Sequence, residues 1–219
     1  VKAIHQFANK KKSVIDIGCA VGKWMPVLAP IFKTVRAIDI SAKNLAIAEK
    51  KYKKYDNISY ECVDMSGAKL KPQKYDSAIC INAILTESLK KRDLFFKHMS
   101  SFIKKGGDLV LVVPSLESKL FSHIIANKWN VDDAKKDIAP TGKRAISQIR
   151  FIKDGVTDID DVPTKHFLKE ELELLLTLAG FEVEKIEKIK YKWSTEFHKP
   201  PSWLKHPQPW DWMVKAKKK

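Results

Sequence analysis

The chain has 219 residues, 41 Lys and Arg against 26 Asp and Glu, a formal net charge of +15 and 44% hydrophobic residues. Such a length suits one domain with a sizeable core, and no apolar run approaches the ~20 residues that span a membrane. Cys19, Cys62 and Cys80 lack C-x-x-C spacing, which argues against zinc or dithiol chemistry and fits reduced thiols in a cytoplasmic protein.

No secretory signal is visible. No membrane partner and no metal are expected. The positive charge is mostly lysine, the arginines being Arg36, Arg92, Arg144 and Arg150. Arginine is the better residue for bidentate phosphate and base contacts. The lysines are spread over helices and turns, so a solvated surface is favoured over a dedicated nucleic-acid face.

Residues 2–9 carry Ile4 and Phe7 and read as a helix end. Val14, Ile15 and Ile17 form a short buried strand containing Asp16. Gly18 and Gly22 follow, and a helix is predicted over 24–32 from Met25, Leu28, Ala29 and Phe32. Val35–Ile38 is a second strand ending at Asp39, and Ser41 is an N-cap for a helix with Leu45, Ala48, Tyr52 and Tyr55 on one face. Ile58–Val63 is a third strand ending at Asp64. Residues 65–74 are polar and loop-like, and Tyr75–Ile81 is a fourth strand ending at Asn82.

The next helix places Leu94, Phe95, His98, Met99, Phe102 and Ile103 on one side, with Lys104 and Lys105 at its C-terminus and Gly106-Gly107 as its stop. Leu109–Val113 is a fifth strand. Regularity fades over 115–165, apart from a helical pattern at 116–129, and 153–163 is acidic and turn-rich. Leu168, Leu172, Leu175, Leu176 and Ala179 restore a helix that Gly180 ends. Phe181–Ile189 is a strand, a Pro-rich connection follows, and Pro209–Ala216 is the last strand, with Trp210, Trp212 and Val214 alternating. Trp193, Trp203, Trp210 and Trp212 are expected to anchor this final hairpin.

Alternating strands and helices predict an α/β three-layer sandwich. Open sheets of this kind bind ligands at the carboxyl ends of their strands. Asp16, Asp39, Asp64 and Asn82 mark the ends of four successive strands beside a glycine turn. A G-x-G-x-x-G dinucleotide turn would need glycine where Lys23 stands, which disfavours a nicotinamide dehydrogenase.

Asp16-Ile17-Gly18-Cys19-Ala20-Val21-Gly22 resembles the first motif, D/E-x-G-x-G-x-G, of the class I S-adenosylmethionine (SAM)-dependent methyltransferases. Ala20 replaces the middle glycine, and the loop is expected to keep its path with a negative φ there. Ile103-Lys104-Lys105-Gly106-Gly107-Asp108-Leu109 is similar to that family's L-K-P-G-G-x-L turn, and Ala179-Gly180-Phe181-Glu182-Val183 to its A-G-F-x-V strand entry. The resemblance covers essentially the whole chain. It implies one domain over 1–219, a cap insertion at about 115–165, and a seven-stranded, mostly parallel sheet of order 3-2-1-4-5-7-6 with the last strand antiparallel.

By the same resemblance, Asp16 and the backbone of Gly18, Cys19, Ala20 and Gly22 would hold the aminoacyl end of SAM. Asp39 would take the ribose hydroxyls and Asp64 the adenine amine, with Ile40 and Met65 against the ring. Asn82 and Ala83 would lie near the reactive methyl. The implied activity is methyl transfer to a small-molecule acceptor by in-line displacement, leaving S-adenosylhomocysteine and resting on proximity and exclusion of water. His123 in the cap is the candidate base, while His98 reads as structural.

A nucleic-acid or protein methyltransferase is the alternative that the charge motivates. Asn82-Ala83-Ile84-Leu85 lacks the prolines of the DNA and RNA amino-methyltransferase motif, and no specific nucleic-acid partner is expected. A non-catalytic scaffold of the same fold is a further alternative.

Overall fold

The computed structural model describes residues 1–67, 70, 73–129, 154–159 and 162–219. The elements in chain order are α1 (Lys2–His5), β1 (Ser13–Ile17), α2 (Met25–Leu28), β2 (Thr34–Asp39), α3 (Ala42–Lys51), β3 (Ile58–Cys62) and β4 (Tyr75–Ile81). They continue with α4 (Leu89–Ser101), β5 (Ile103–Pro114), α5 (Leu116–Trp129), β6 (Val156–Ile159), β7 (Val162–Lys165), α6 (Lys169–Leu178), β8 (Phe181–Lys190) and β9 (Trp210–Lys218).

The main sheet has seven strands in the order β3-β2-β1-β4-β5-β9-β8, and β6 pairs with β7 in a separate two-stranded ladder. Parallel pairing runs from β3 to β5, and β9 is antiparallel to both β5 and β8. With the small ladder set aside, this is the expected order, with the last strand wedged one position inside the edge.

The central strands are buried on both faces, so they read as apolar runs rather than alternations. In β1, Ile15 and Ile17 join one core cluster with Phe95, Phe96 and Met99 of α4 and Leu172 and Leu176 of α6. Val14 faces the other cluster with Ile4, Met25, Leu28, Phe32 and Leu45 from the α1–α3 side. Those two clusters make the three layers. In β9, Trp210, Trp212, Val214 and Ala216 all enter the α4–α6 cluster, following the period of two.

Three boundaries differ from expectation. The helix expected over 24–32 is α-helical only over Met25–Leu28, with Pro26 in its first turn. Pro30 follows directly and lacks the N–H a further helical turn would need. The helix expected to stop at Gly106-Gly107 ends instead at Ser101, capped at Phe102. Ile103 already pairs with Tyr75, and the ladder then slips before Ser77 meets Asp108. The two glycines therefore form an irregularity inside β5, with Gly106 at φ +74°. The turn-rich stretch at 153–163 contributes the β6–β7 hairpin, whose Val156 pairs with Lys165 and Ile159 with Val162. The expected cap is described at its two ends, α5 and this hairpin; residues 130–153, 160 and 161 lie outside the described residues, as do 68, 69, 71 and 72 in the loop at 65–74.

Helix α6 shows what the apolar stripe contributes. Leu172 and Leu176 are wholly buried, whereas Leu178 is 76% exposed. At its N-terminus the Leu168 N–H donates to Glu171 Oε2 at 3.3 Å and the Lys169 N–H to Glu117 Oε1 at 3.1 Å. Leu172→Ala is expected to cost ~2–5 kcal/mol of unfolding free energy by leaving a cavity. Leu178→Ala is expected to change it by less than about 0.5 kcal/mol. Urea denaturation with matched m-values measures both.

Candidate functional site

The carboxyl ends of β1, β2 and β4 meet around the glycine loop. The N–H groups of Gly18 and Cys19 donate to the Ile38 carbonyl at 2.8 and 3.0 Å, so the loop leaves β1 by turning over β2. Gly18 has φ +75°, and a Cβ there would lie 2.3 Å from the Ala83 Cβ. Gly22 has φ +77°, and its Cβ would meet the Tyr52 ring at 2.8 Å. Only glycine satisfies both the dihedral and the space at these two positions. Ala20 corrects an expectation: its φ is +46°, not negative. An L-residue in the left-handed region costs about 1–2 kcal/mol, and the loop retains that geometry with alanine because both its ends are held.

Asp39 does much of that holding. Its Oδ2 accepts the Ala20 N–H at 2.8 Å and its Oδ1 accepts the Ser41 N–H at 2.8 Å. Ser41 in turn caps α3, its Oγ accepting from the Asn44 N–H at 3.3 Å. One carboxylate thus joins the glycine loop to the start of α3. Ile40 beside it is 67% exposed.

Asp16 is 1% exposed, and its Oδ2 has no hydrogen-bond partner. Burial, and then the nearby Asp39 charge, pushes its carboxyl up to about 8. An orphaned buried carboxyl oxygen costs roughly 1–3 kcal/mol and marks a place where a ligand group would be welcome. The adjacent Cys19 thiol, also pushed up by burial, to about 12, is not a nucleophile.

Asp64 is exposed at the end of the β3 segment, and Met65 beside it is buried. The Ser66 N–H and hydroxyl donate to Asp64 Oδ1 at 2.8 and 2.6 Å, and the hydroxyl bond is the chief cause holding this carboxyl below its ordinary range. His98 Nδ1 lies 2.9 Å from the Met65 carbonyl. The histidine that reads as structural therefore ties α4 to the site's third loop.

Asn82 follows β4 with φ +51°, its N–H bonded to the Val112 carbonyl at 2.9 Å. The segment after it is pinned from two sides. Buried Arg92 donates to the carbonyls of Thr86 and Glu87 at 3.0 and 2.7 Å, and the Lys165 N–H donates to the Leu85 carbonyl at 2.9 Å. The Lys165 side chain, 2% exposed, pairs with Glu171 at 2.6 Å. These contacts dock the β6–β7 hairpin beside the end of β4.

Asp211 was not visible as a site residue in the sequence. It is the second residue of β9, pairs in register with Pro114, and its Oδ2 accepts from Asn82 Nδ2 at 3.4 Å. Burial pushes its carboxyl up to about 6 against the opposing bond from Asn82, and Glu196 adds to the rise. The Tyr191 hydroxyl donates to Glu196 Oε1 at 2.9 Å. A signal existed in the Pro209–Ala216 alternation, which puts Asp211 on the face opposite the tryptophans. Its nearness to Asn82 depends on strand order alone. His123 is exposed on α5, close enough to His166 to help burial lower that imidazole to about 4. Among the described residues no group of His, Cys, Asp and Glu could hold a metal ion, and no helix is long and apolar enough to cross a membrane.

The comparisons with known proteins agree with this geometry. A family profile described as a methyltransferase domain matches residues 14–107. The probable S-adenosylmethionine-dependent methyltransferase CRG1 of Saccharomyces cerevisiae is 35% identical over 103 residues, 44% of this chain and 34% of that protein, so the chain spans about a third of that relative's length. The ubiquinone biosynthesis O-methyltransferase of Coxiella burnetii is 26% identical over 180 residues, covering 78% of this chain and 74% of that protein. A SAM-dependent methyltransferase structure from Methanosarcina mazei superposes with a TM-score of 0.68 at 18% identity, over 100% of this chain and 97% of that one. The profile runs from β1 to the Gly106-Gly107 turn, so that part of the chain is similar to a methyltransferase domain, and the fold agrees from end to end with that of the Methanosarcina structure.

Proposed function

We propose that the chain transfers the methyl group of SAM to a small-molecule acceptor enclosed between the end of β4, α5 and the β6–β7 hairpin. The observation that carries this reading is the row of strand-end groups, Asp16, Asp39, Asp64 and Asn82, beside a glycine loop with no room for side chains. The residues fit the cofactor on physical grounds. Asp16 Oδ2 is an orphaned acceptor that a cationic ammonium would satisfy. Asp39 already accepts two backbone N–H groups, yet a carboxylate offers about four lone-pair sites, which leaves capacity for both ribose hydroxyls.

In this proposal Asp16 and the backbone of Gly18, Cys19, Ala20 and Gly22 hold the aminoacyl end. Asp64 accepts from the adenine amine, with Ile40 and Met65 against the ring. Asn82 and Ala83 face the methyl. Bound SAM supplies an activated methyl group on a sulfonium centre. The chain then has to orient the nucleophile, exclude water and, for a protonated acceptor, take up a proton. Asp211 is the carboxylate placed for that last task, since it touches Asn82 and keeps an oxygen pair near the transfer end. The name of the Coxiella relative supports a small acceptor, and so does the absence of prolines in Asn82-Ala83-Ile84-Leu85. Residues 1–219 are read as one domain with 115–165 as the acceptor cap.

Each charge-assisted hydrogen bond contributes about 1.5–3 kcal/mol, so Asp39→Ala is expected to weaken SAM binding roughly tenfold to a hundredfold by calorimetry. Unchanged affinity would remove Asp39 from the site. A pH dependence follows from Asp16. In the free protein its carboxyl keeps a proton up to about pH 8, and a cationic ligand beside it lowers that value. Binding then releases a proton, so SAM affinity rises with pH through the neutral range and levels off above the free protein's value. The calorimetric enthalpy should vary with buffer ionisation enthalpy in the wild type and lose that variation in Asp16→Asn. For Asp211→Asn, production of S-adenosylhomocysteine in a nucleic-acid-free metabolite extract is expected to fall about 10²–10⁴-fold. SAM affinity should remain within about threefold, since Asp211 is placed on the acceptor side.

A further inference from the structure

The α5 helix and the connection between β8 and β9 share a small core of Ile125, Trp193, Phe197 and Leu204, with Phe121 and Ala126 packed against it. This core seats the connection firmly, since Trp193 stacks on Phe197 and its Nε1 donates to the Pro207 carbonyl at 3.0 Å. Outside it stand two exposed tryptophans: Trp129 at the end of α5 is 46% exposed and Trp203 is 55% exposed. Their ring centroids are 5.8 Å apart. A rigid base therefore presents the largest apolar side chains to solvent, where burial would be the ordinary outcome.

Among the described residues the surroundings of the pair are cationic. Lys128 Nζ lies 4.6 Å from the centre of the Trp129 ring. The segment His198-Lys199-Pro200-Pro201-Ser202-Trp203-Leu204-Lys205-His206-Pro207 contains no acidic residue, and Lys199 and Lys205 are exposed. Glu196, just before it, is engaged by the Tyr191 hydroxyl. Tryptophan prefers the water–hydrocarbon boundary, where the ring is apolar and the indole N–H stays wet. Lysines around it attract anionic headgroups and can keep their ammonium groups in water.

We propose that the Trp129–Trp203 face docks the chain on the interfacial zone of an anionic lipid bilayer. The expectation of no membrane partner came from the lack of a spanning run, and surface docking needs none. Single-stranded nucleic acid, the other polyanion that aromatic and basic residues bind, fits less well. Stacked bases need an open, flat ring face. Here the rings meet at 55° and partly cover one another, and Lys128 occupies a face of Trp129.

The test is co-sedimentation of the full chain with vesicles of phosphatidylcholine alone and of phosphatidylcholine mixed with phosphatidylglycerol, with tryptophan emission read in parallel. The expected result is partition into the mixed vesicles with a blue shift, and little partition into the neutral ones. The double variant Trp129→Ala, Trp203→Ala should lose about tenfold or more of the partition coefficient while keeping the wild-type unfolding midpoint, because neither ring is buried. Lys128→Glu with Lys205→Glu should abolish the preference for the anionic vesicles. Failure of the wild type to partition at low salt overturns the proposal. Partition that the tryptophan variant retains also overturns it, because lysines alone would then be adsorbing. Binding of a single-stranded RNA that the tryptophan variant loses, without vesicle binding, assigns the face to nucleic acid instead. None of these readouts uses SAM, so failure here leaves the methyl-transfer reading standing.

Discussion

The Asp39 carboxylate accepts the Ala20 N–H with one oxygen and the Ser41 N–H with the other, each at 2.8 Å. These are charge-assisted bonds to backbone donors, stronger than neutral ones, and they connect segments that the chain separates by a strand. The glycine loop cannot relax away from β2 without breaking them. With the loop fixed, Gly18 rests against Ala83 with no space for a methyl group between them. The ends of β1, β2 and β4 are thereby held at contact distance. Ala20 tolerates a positive φ because the same bond that positions the loop also holds its strained residue.

Polar groups inside this fold are handled in two ways. The buried cations of the scaffold are satisfied: Lys165 is 2% exposed but has Glu171 at 2.6 Å and the Asp154 carbonyl at 3.0 Å, and Arg92 is satisfied by the carbonyls of Thr86 and Glu87. Removing either partner of such a pair would leave a buried charge uncompensated. Where a ligand is proposed, the group is left wanting. Asp16 Oδ2 is buried without a partner. Asp211 has a long bond to Asn82 at 3.4 Å and a carboxyl raised mainly by burial. The contrast holds among the buried charged groups, whereas the neutral Ser77 Oγ and Trp210 Nε1 are buried without a partner in the scaffold itself.

Strand β9 links the two halves of the molecule. Trp210, Trp212, Val214 and Ala216 bury one face against α4 and α6, and Trp212 Nε1 donates to Glu117 Oε2 at 3.0 Å, tying β9 to the first turn of α5. Glu117 also receives the Lys169 N–H at the start of α6. This single carboxylate gathers β9, α5 and α6 beyond the carboxyl end of β5. Lysine on the outside and a few satisfied charges within account for a strongly basic chain that still closes an ordinary α/β core.

The sequence by itself determined the strands of the main sheet, their apolar faces and the residues at their ends, but not the β6–β7 hairpin. Val14, Ile15 and Ile17 read as a short buried strand, and the glycines at 18 and 22 suit the tight turn after it, while the close approach of Ala83 and Tyr52 to them comes from packing. Ser41 as a cap and the Leu172–Leu176 stripe were legible for the same reason: each depends on neighbours within about a turn of helix. Helix ends at Leu28 and Ser101 were misjudged where a proline or an early strand pairing overrode a continuing apolar pattern. Only the tertiary structure decided the rest. Ala20 has a positive φ because Asp39, on another strand, holds its N–H. Asp211 stands beside Asn82 because β9 inserts next to β5, so that residues far apart in the chain become neighbours at 3.4 Å. Such contacts are set by strand order, a long-range property of the packed sheet that no local pattern of residues encodes.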